Sequence, residues 1–498
     1  MNTFVPARWW IRQPRTAVAA VAIAAMGLHA LFLVAPLAPD EGGYLLVASQ
    51  WDNGGPLLYG HLWVDRPPLL LVAFAVAGLA GTVGIHILAS LCAGVTVLAA
   101  GWAGWAIAGR RAGLWSALTA GALSASILID AQELDGELLA IPFVMLSCAL
   151  VLHAWYRTPR HQYVLVMAAG VVAVAAPLIK QNFVEAIVFA MVFFSVNIIR
   201  GIDRRRAARM LVTFSIVTAA GLAGVAGWAI AQGKFGALWF ATYTFRAQAG
   251  AVIQAGSWHA PGARLFQLIG LAIVSGIVGL SIFAVVVHRP ALRRGDPLTC
   301  ALVAGFLVEI AGIALGGSFW PHYLIGIIPM LSLAVGTAIT GEPSRPEIAL
   351  RGLVVLAFVV SLVAAPIMAV NTQLFGNGGD RVGTWLGRAA ETNDTAMVTF
   401  THPNILQRSG LSSPYPYVWS LPVRTLDPHL TLLKHTIQGP RAPTWIVQWD
   451  AFNTWKLDPQ GELANTVTAN YRVVAHICGH PVWLRKGVTR NARALRRC

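Results

Sequence analysis

Asp40-Glu41-Gly42-Gly43-Tyr44 follows the first apolar segment of the chain, and Asp65-Arg66-Pro67-Pro68-Leu69 introduces the second. Charged groups at the lip of a membrane helix are costly and usually mark function. A carboxylate in such a place can take a proton from a hydroxyl. A guanidinium offers a planar fork suited to phosphate. The two prolines after the charged pair impose an extended entry into the next helix. Asp40 would also serve as the N-cap of a surface helix over Glu41–Gln50, and the two roles can coexist.

Further candidates stand at the ends of other apolar segments. Gln132-Glu133-Leu134-Asp135-Gly136-Glu137 follows the 112–129 segment. A hard divalent cation could find oxygens on Asp65, Glu133 or Asp135, although no spacing establishes such a site. Lys180 interrupts apolar sequence before Gln181-Asn182. A charge there needs a phosphate or carboxylate partner, unless it is a lysine snorkelling from a helix end. The stretch Lys234–Arg264, with Tyr243, Arg246, Trp258, His259 and Arg264, suits an interfacial helix at a lipid-phosphate mouth. Tyr243 and Trp258 read as membrane anchors and Arg246 as a phosphate ligand. In Gly316-Gly317-Ser318-Phe319-Trp320-Pro321-His322-Tyr323, His322 is either a phosphate donor or a helix-start histidine. Glu309, inside an apolar segment, is the kind of residue that marks a proton path.

The elements that must position these residues are membrane helices. Of 498 residues, 56% are hydrophobic and only 11% charged, against roughly 25% charged in soluble domains. Apolar segments near 16–36, 69–108, 112–129, 138–156, 162–179, 183–199, 210–232, 265–287, 298–315, 320–340 and 350–371 give about eleven transmembrane helices, with a break in 69–108 around Gly81–Gly84. Placing the N-terminus inside puts seventeen Lys/Arg in the inner loops, Arg8, Arg12, Arg110 and Arg111 among them. Five fall in the outer loops before residue 372: Arg66, Lys180, Lys234, Arg246 and Arg264. This asymmetry makes the N-terminus cytoplasmic and puts the C-terminal segment outside. The first apolar segment has no small-residue cleavage site and reads as a retained helix. The net charge of +15 is therefore topological and no sign of nucleic acid. From 372 onward, strands near Thr395–Thr399, Thr444–Val447 and Tyr471–Ala475 and helices near 380–391 and 428–438 predict a small α/β domain. The expected organisation is a membrane domain 1–371, with a first outer loop 37–68, and an outer domain 372–498. In that domain His402-Pro403-Asn404 and Ser413–Tyr417 read as ordered loops that could floor an acceptor site. Cys92, Cys148 and Cys300 read as buried thiols, and Cys478 with Cys498 could form a disulfide if outside the cell.

The two acidic loop motifs, Pro67-Pro68, Tyr59 and Lys180 resemble the lipid-sugar-dependent glycosyltransferases of the GT-C superfamily. The likeness is to the branch holding protein O-mannosyltransferases and lipid A aminoarabinose transferases. Arg66 stands where that family usually has lysine, and Gln132 where relatives often carry arginine. The resemblance implies a helical bundle of the GT-C fold with surface helices in the first outer loop. It also implies inverting transfer of a sugar from a polyprenyl-phosphate donor to a glycan, glycolipid or protein outside the cytoplasmic membrane. It makes Asp40 the base, with Glu41 orienting it or the acceptor. It gives Arg66, Lys180, Arg246 and His322 to the donor phosphate, and Tyr44, Tyr59, Asp65, Asp135 and Tyr323 to substrate. No cofactor is certain. The rival readings are a transporter or flippase of lipid-linked sugars and a non-catalytic envelope-assembly protein.

Overall fold

The computed structural model describes residues 14–51, 54–256, 259–339, 344–375 and 378–491. Arg8, Arg12, Trp258 and Cys498 lie outside them. The chain groups into two compact units. One comprises Met1–Leu33, His86–Gln232 and His259–Ala369; the other comprises Val34–Ile85, Gly233–Trp258 and Val370–Cys498.

The chain is a multi-span membrane protein, and the first unit holds most of its apolar helices. They are α1 (Pro14–Ala30), α4 (Gly81–Ser124), α5 (Gly136–Tyr156), α6 (Gln162–Ile179), α7 (Glu185–Ile199), α8 (Arg204–Ala231), α11 (His259–Val274), α12 (Ile277–Arg293), α13 (Pro297–Gly316), α14 (Ile328–Ala338) and α15 (Arg345–Phe375). A 3-10 turn, Pro321–Ile327, leads into α14. Among the described residues seven helices are long and apolar enough to cross a membrane, or eight if α11 and α12, bent by 63°, form one span. The 44-residue α4 breaks at Ala108–Gly109, where Gly109 has φ 80°. Only glycine adopts that backbone without strain, and Arg110-Arg111 follows at once. All eleven apolar segments are largely helical, with α4 serving two of them and α11 and α12 together serving one.

The second unit contains α2 (Pro39–Ala48), α3 (Pro68–Gly78), α9 (Phe235–Trp239) and α10 (Phe245–Ala255), the last two joined by a π turn, Phe240–Thr244. Its remaining elements are β1 (Ala396–Val398), β2 (Trp445–Val447), β3 (Tyr471–Ile477) and β4 (His480–Arg485) with α16 (Gly378–Ala389), α17 (Asn404–Ser409), α18 (Ser420–Leu426), α19 (Thr431–Gln438) and α20 (Glu462–Asn470). The sheet order is β1-β2-β4-β3, with β1 and β2 parallel and the other pairs antiparallel. The core is apolar and includes Met397, Val423, Leu433, Ile446, Leu463 and Val467. Cys478 (φ 51°) and Gly479 (φ 83°) make the two-residue β3–β4 turn, the primed geometry that matches strand twist. Cys478 is disulfide-bonded.

One buried charge ties this sheet to the chain beyond it. Asp394 accepts from the Trp445 indole at 2.9 Å, from Arg490 at 2.8 and 3.0 Å, and from the Glu391 N–H at 3.0 Å. Burial alone would raise its carboxyl, but these donors outweigh that and hold it at about 2. Because the folded value is depressed, its stabilisation is present above the ordinary 3.8 and is lost as pH falls toward 2. Asp394→Asn is expected to destabilise this sheet by about 2–4 kcal/mol at neutral pH. Hydrogen exchange across β1 and β2 measures this, and unchanged protection would contradict it.

Candidate functional site

In the second unit Asp40 lies in the first turn of α2, and the N-cap position belongs to Ala38. Glu41, at N3, reaches back to accept the Ala38 N–H at 2.8 Å. This is the return half of a capping box, and Glu41 is only 1% exposed. Asp40 therefore does not cap the helix. Its Oδ1 accepts the Trp419 indole N–H at 2.8 Å, and its Oδ2 lies 3.4 Å from the Tyr44 hydroxyl.

From Tyr44 the hydrogen bonding continues. Arg66 donates through Nε to the Tyr44 hydroxyl at 3.0 Å and through Nη1 to Asp65 Oδ1 at 2.8 Å. Arg246, on α10, pairs with Asp65 Oδ2 at 2.6 Å. One carboxylate thus aims two guanidinium groups, which leaves a net positive charge at that end of the chain of contacts. Tyr59 donates to the Arg66 carbonyl at 2.8 Å and packs edge-on to Trp51. Burial pushes its phenol up, so it remains a donor. Charge on Arg66 and Arg246, a fixed carboxylate at Asp40 and a phenol between them can together hold an anion and take a proton.

Gly42 and Gly43 explain how this arrangement closes. A Cβ on Gly42 would fall on Asn404, and one on Gly43 on Trp419 and Pro403. The paired glycines let the Pro403–Asn404 loop and the Trp419 ring lie directly against α2. Asn404 donates to the Leu37 carbonyl at 3.1 Å, and the Trp63 N–H donates to Pro416 O at 3.0 Å. The 402–404 and 413–417 segments thus lie against the 37–68 loop. Trp419 was not singled out from the sequence, since nothing in its neighbours marks it.

A second charged group lies in the first unit. Asp135 is the N-cap residue of α5, Glu137 stands in its first turn, and Lys180 is the C-cap residue of α6. Lys180 pairs with Glu137, and its ammonium lies 4.6 Å from the Tyr323 ring centroid. His322 Nδ1 is 3.1 Å from Asp135 Oδ2, and its Nε2 is 3.8 Å from Glu137 Oε1. Arg264 is turned to the Gly316–Pro321 turn, donating to Ser318 O at 2.7 Å and covering the Trp320 ring. Glu309 is not solitary: it interacts with Glu185, without a well-formed hydrogen bond, and its carboxylate packs against Gly326. Among the described residues no three His, Cys, Asp or Glu side chains are arranged to hold a metal ion. Asp65 has both oxygens on guanidinium groups, and Asp135 faces an imidazole.

No protein-family model matches the chain, and neither does any curated protein sequence. Solved structures do. ArnT, the aminoarabinose transferase from Cupriavidus metallidurans, solved bound to undecaprenyl phosphate, aligns with TM-score 0.62 and 13% identity over 96% of this chain and 98% of its own. The fold is that of the GT-C glycosyltransferases. The archaeal oligosaccharyltransferase AglB from Archaeoglobus fulgidus, in complex with an inhibitory peptide and a dolichol-phosphate, aligns at TM-score 0.52 and 13% identity over 93% of this chain and 73% of its own. A further structure of an oligosaccharyltransferase from that organism, solved with Zn and sulfate, aligns at TM-score 0.51. At such identity the likeness is one of fold alone.

Proposed function

We propose that this chain is an integral membrane glycosyltransferase that moves a sugar from a polyprenyl-phosphate donor to an acceptor hydroxyl outside the cytoplasmic membrane. The observation that carries the reading is the run Trp419–Asp40–Tyr44–Arg66–Asp65–Arg246, built on a GT-C fold. Asp40 takes the acceptor proton while the hydroxyl oxygen bonds to the anomeric carbon and the phosphate departs with the bonding pair. A single displacement of this kind inverts the anomeric centre. The leaving phosphate needs cations more than a proton; Arg66 and Arg246 offer them in one unit, and Lys180 and His322 offer them in the other. Asp65 and Tyr44 hold the guanidinium groups, Tyr59 fixes the Arg66 backbone, and Glu41 fixes the helix turn that presents Asp40. Asp135 orients His322, and Tyr323 lies over Lys180. With Asp65 and Asp135 so engaged, no step is assigned to a metal.

The outer side is supported by the distribution of Lys and Arg, which leaves the inner loops basic. Mass spectrometry and NMR of products from anomerically pure donors test the reaction. Release of polyprenyl phosphate and a product of opposite configuration are expected; a retained configuration contradicts the single displacement.

Trp419→Phe tests the orientation of Asp40. It removes one hydrogen bond to a carboxylate and keeps the ring against Gly43. Such a bond contributes roughly 1.5–3 kcal/mol, so kcat should fall about 10- to 100-fold with the donor KM little changed. An unchanged kcat would show that the indole merely packs.

A further inference from the structure

Lys180, Glu137, His322 and Asp135 form one ion chain. Lys180 is 7% exposed, Asp135 3% and Glu137 2%. A protonated imidazole would form ion pairs with both carboxylates it faces, Asp135 at 3.1 Å and Glu137 at 3.8 Å. Two such cations and two carboxylates sum to zero. The helix ends reinforce this, since the acids stand at the N-terminus of α5 and the lysine at the C-terminus of α6.

A buried lysine without a counter-ion is costly, so an anion must hold Lys180 at every stage. If Lys180 receives the donor phosphate, as proposed above, that phosphate must take the place Glu137 now fills. A protonated His322 would give Glu137 a second cation within reach, so the exchange would strand neither charge. We propose that Glu137 is a resident competitor that holds Lys180 between turnovers and draws it back from the departing polyprenyl phosphate. The need arises from the reaction itself. The donor is a phosphodiester with one negative charge, whereas the product is a monoester carrying about −1.5 to −2. A wholly cationic pocket would therefore retain product more tightly than donor, and release of product often limits turnover. Glu137 is a positioning residue in this scheme and touches neither the sugar nor the acceptor.

Binding of undecaprenyl phosphate to the full chain in lipid nanodiscs tests this. Lys180→Met should weaken binding about 10- to 100-fold. Glu137→Gln should tighten it about tenfold, with kcat and donor KM falling together. In the Lys180→Met background Glu137→Gln should have no effect on affinity. Glu137→Asp, which keeps the charge on a shorter arm, should shift affinity in the same direction and serves if the glutamine variant does not fold. Binding that is weakened or unchanged in Glu137→Gln, while Lys180→Met loses affinity, overturns the proposal. If Lys180→Met binds as the wild type does, the phosphate role of Lys180 fails first and the competitor has nothing to compete for.

Discussion

Asp40→Asn will lower kcat for sugar transfer roughly 10²- to 10⁴-fold, the range general-base catalysis contributes, while leaving affinity for polyprenyl phosphate within about twofold. Asparagine is nearly isosteric, and its amide oxygen can keep the Trp419 indole at the 2.8 Å seen for Oδ1. The helix should be untouched, because the capping carboxylate is that of Glu41. What is lost is an oxygen that can accept a proton. A transporter of lipid-linked sugars, or an assembly protein that merely keeps this fold, would tolerate the change, since neither needs a base at this position. Steady-state kinetics with phosphate-lipid binding in parallel decide between them.

The second large effect is expected at Arg66. Arg66→Gln removes a charge that meets Asp65 at 2.8 Å and Tyr44 at 3.0 Å. It also leaves Arg246 as the one cation of this contact chain on Asp65. Truncating one partner of a buried, hydrogen-bonded charge pair costs about 2–5 kcal/mol; this pair is part-buried, and in the proposed reaction the lost group also faces the developing phosphate charge. kcat/KM should fall about 10²- to 10³-fold, with donor KM rising and kcat falling. Arg66→Lys should recover much of the donor affinity, because the charge returns. It should recover less of kcat, because a lysine lacks the fork that engages Tyr44 and Asp65 together. Equal activity in Arg66→Gln and the wild type would remove this residue from the donor site.

Much of this was legible in the sequence because a membrane makes charge conspicuous. Asp40, Asp65, Arg66 and Lys180 stand at the ends of apolar runs, where their cost alone demands a partner. The structure brings Asp40, Tyr44, Asp65, Arg66 and Arg246 into one contact chain in one unit. It joins Asp135, Lys180, His322 and Tyr323 in the other. For Lys180 the sequence demanded an anion without saying which, and Glu137 answers because the ends of α5 and α6 meet. Trp419 was not legible. Its bond to Asp40 joins residues 379 positions apart, and a single indole among other aromatic and apolar residues carries no pattern. Gly42 and Gly43 carried a signal that is plain only afterwards: two adjacent glycines inside a short helix are wasteful unless something must lie against them. β4 escaped notice because Pro481 lies inside it and prolines usually exclude strands. For Glu309 the sequence named no partner, because its neighbour Glu185 lies on a different helix.

The measurement that tests the central claim most directly is transfer of label by the purified chain in nanodiscs. The wild type and Asp40→Asn would be offered a panel of radiolabelled polyprenyl-phosphate sugars with membrane extract as acceptor. Label passing from one donor to product with the wild type, and not with Asp40→Asn, is the predicted result. Transfer that survives Asp40→Asn, or none from any donor while the lipid-linked sugars still bind, would contradict it.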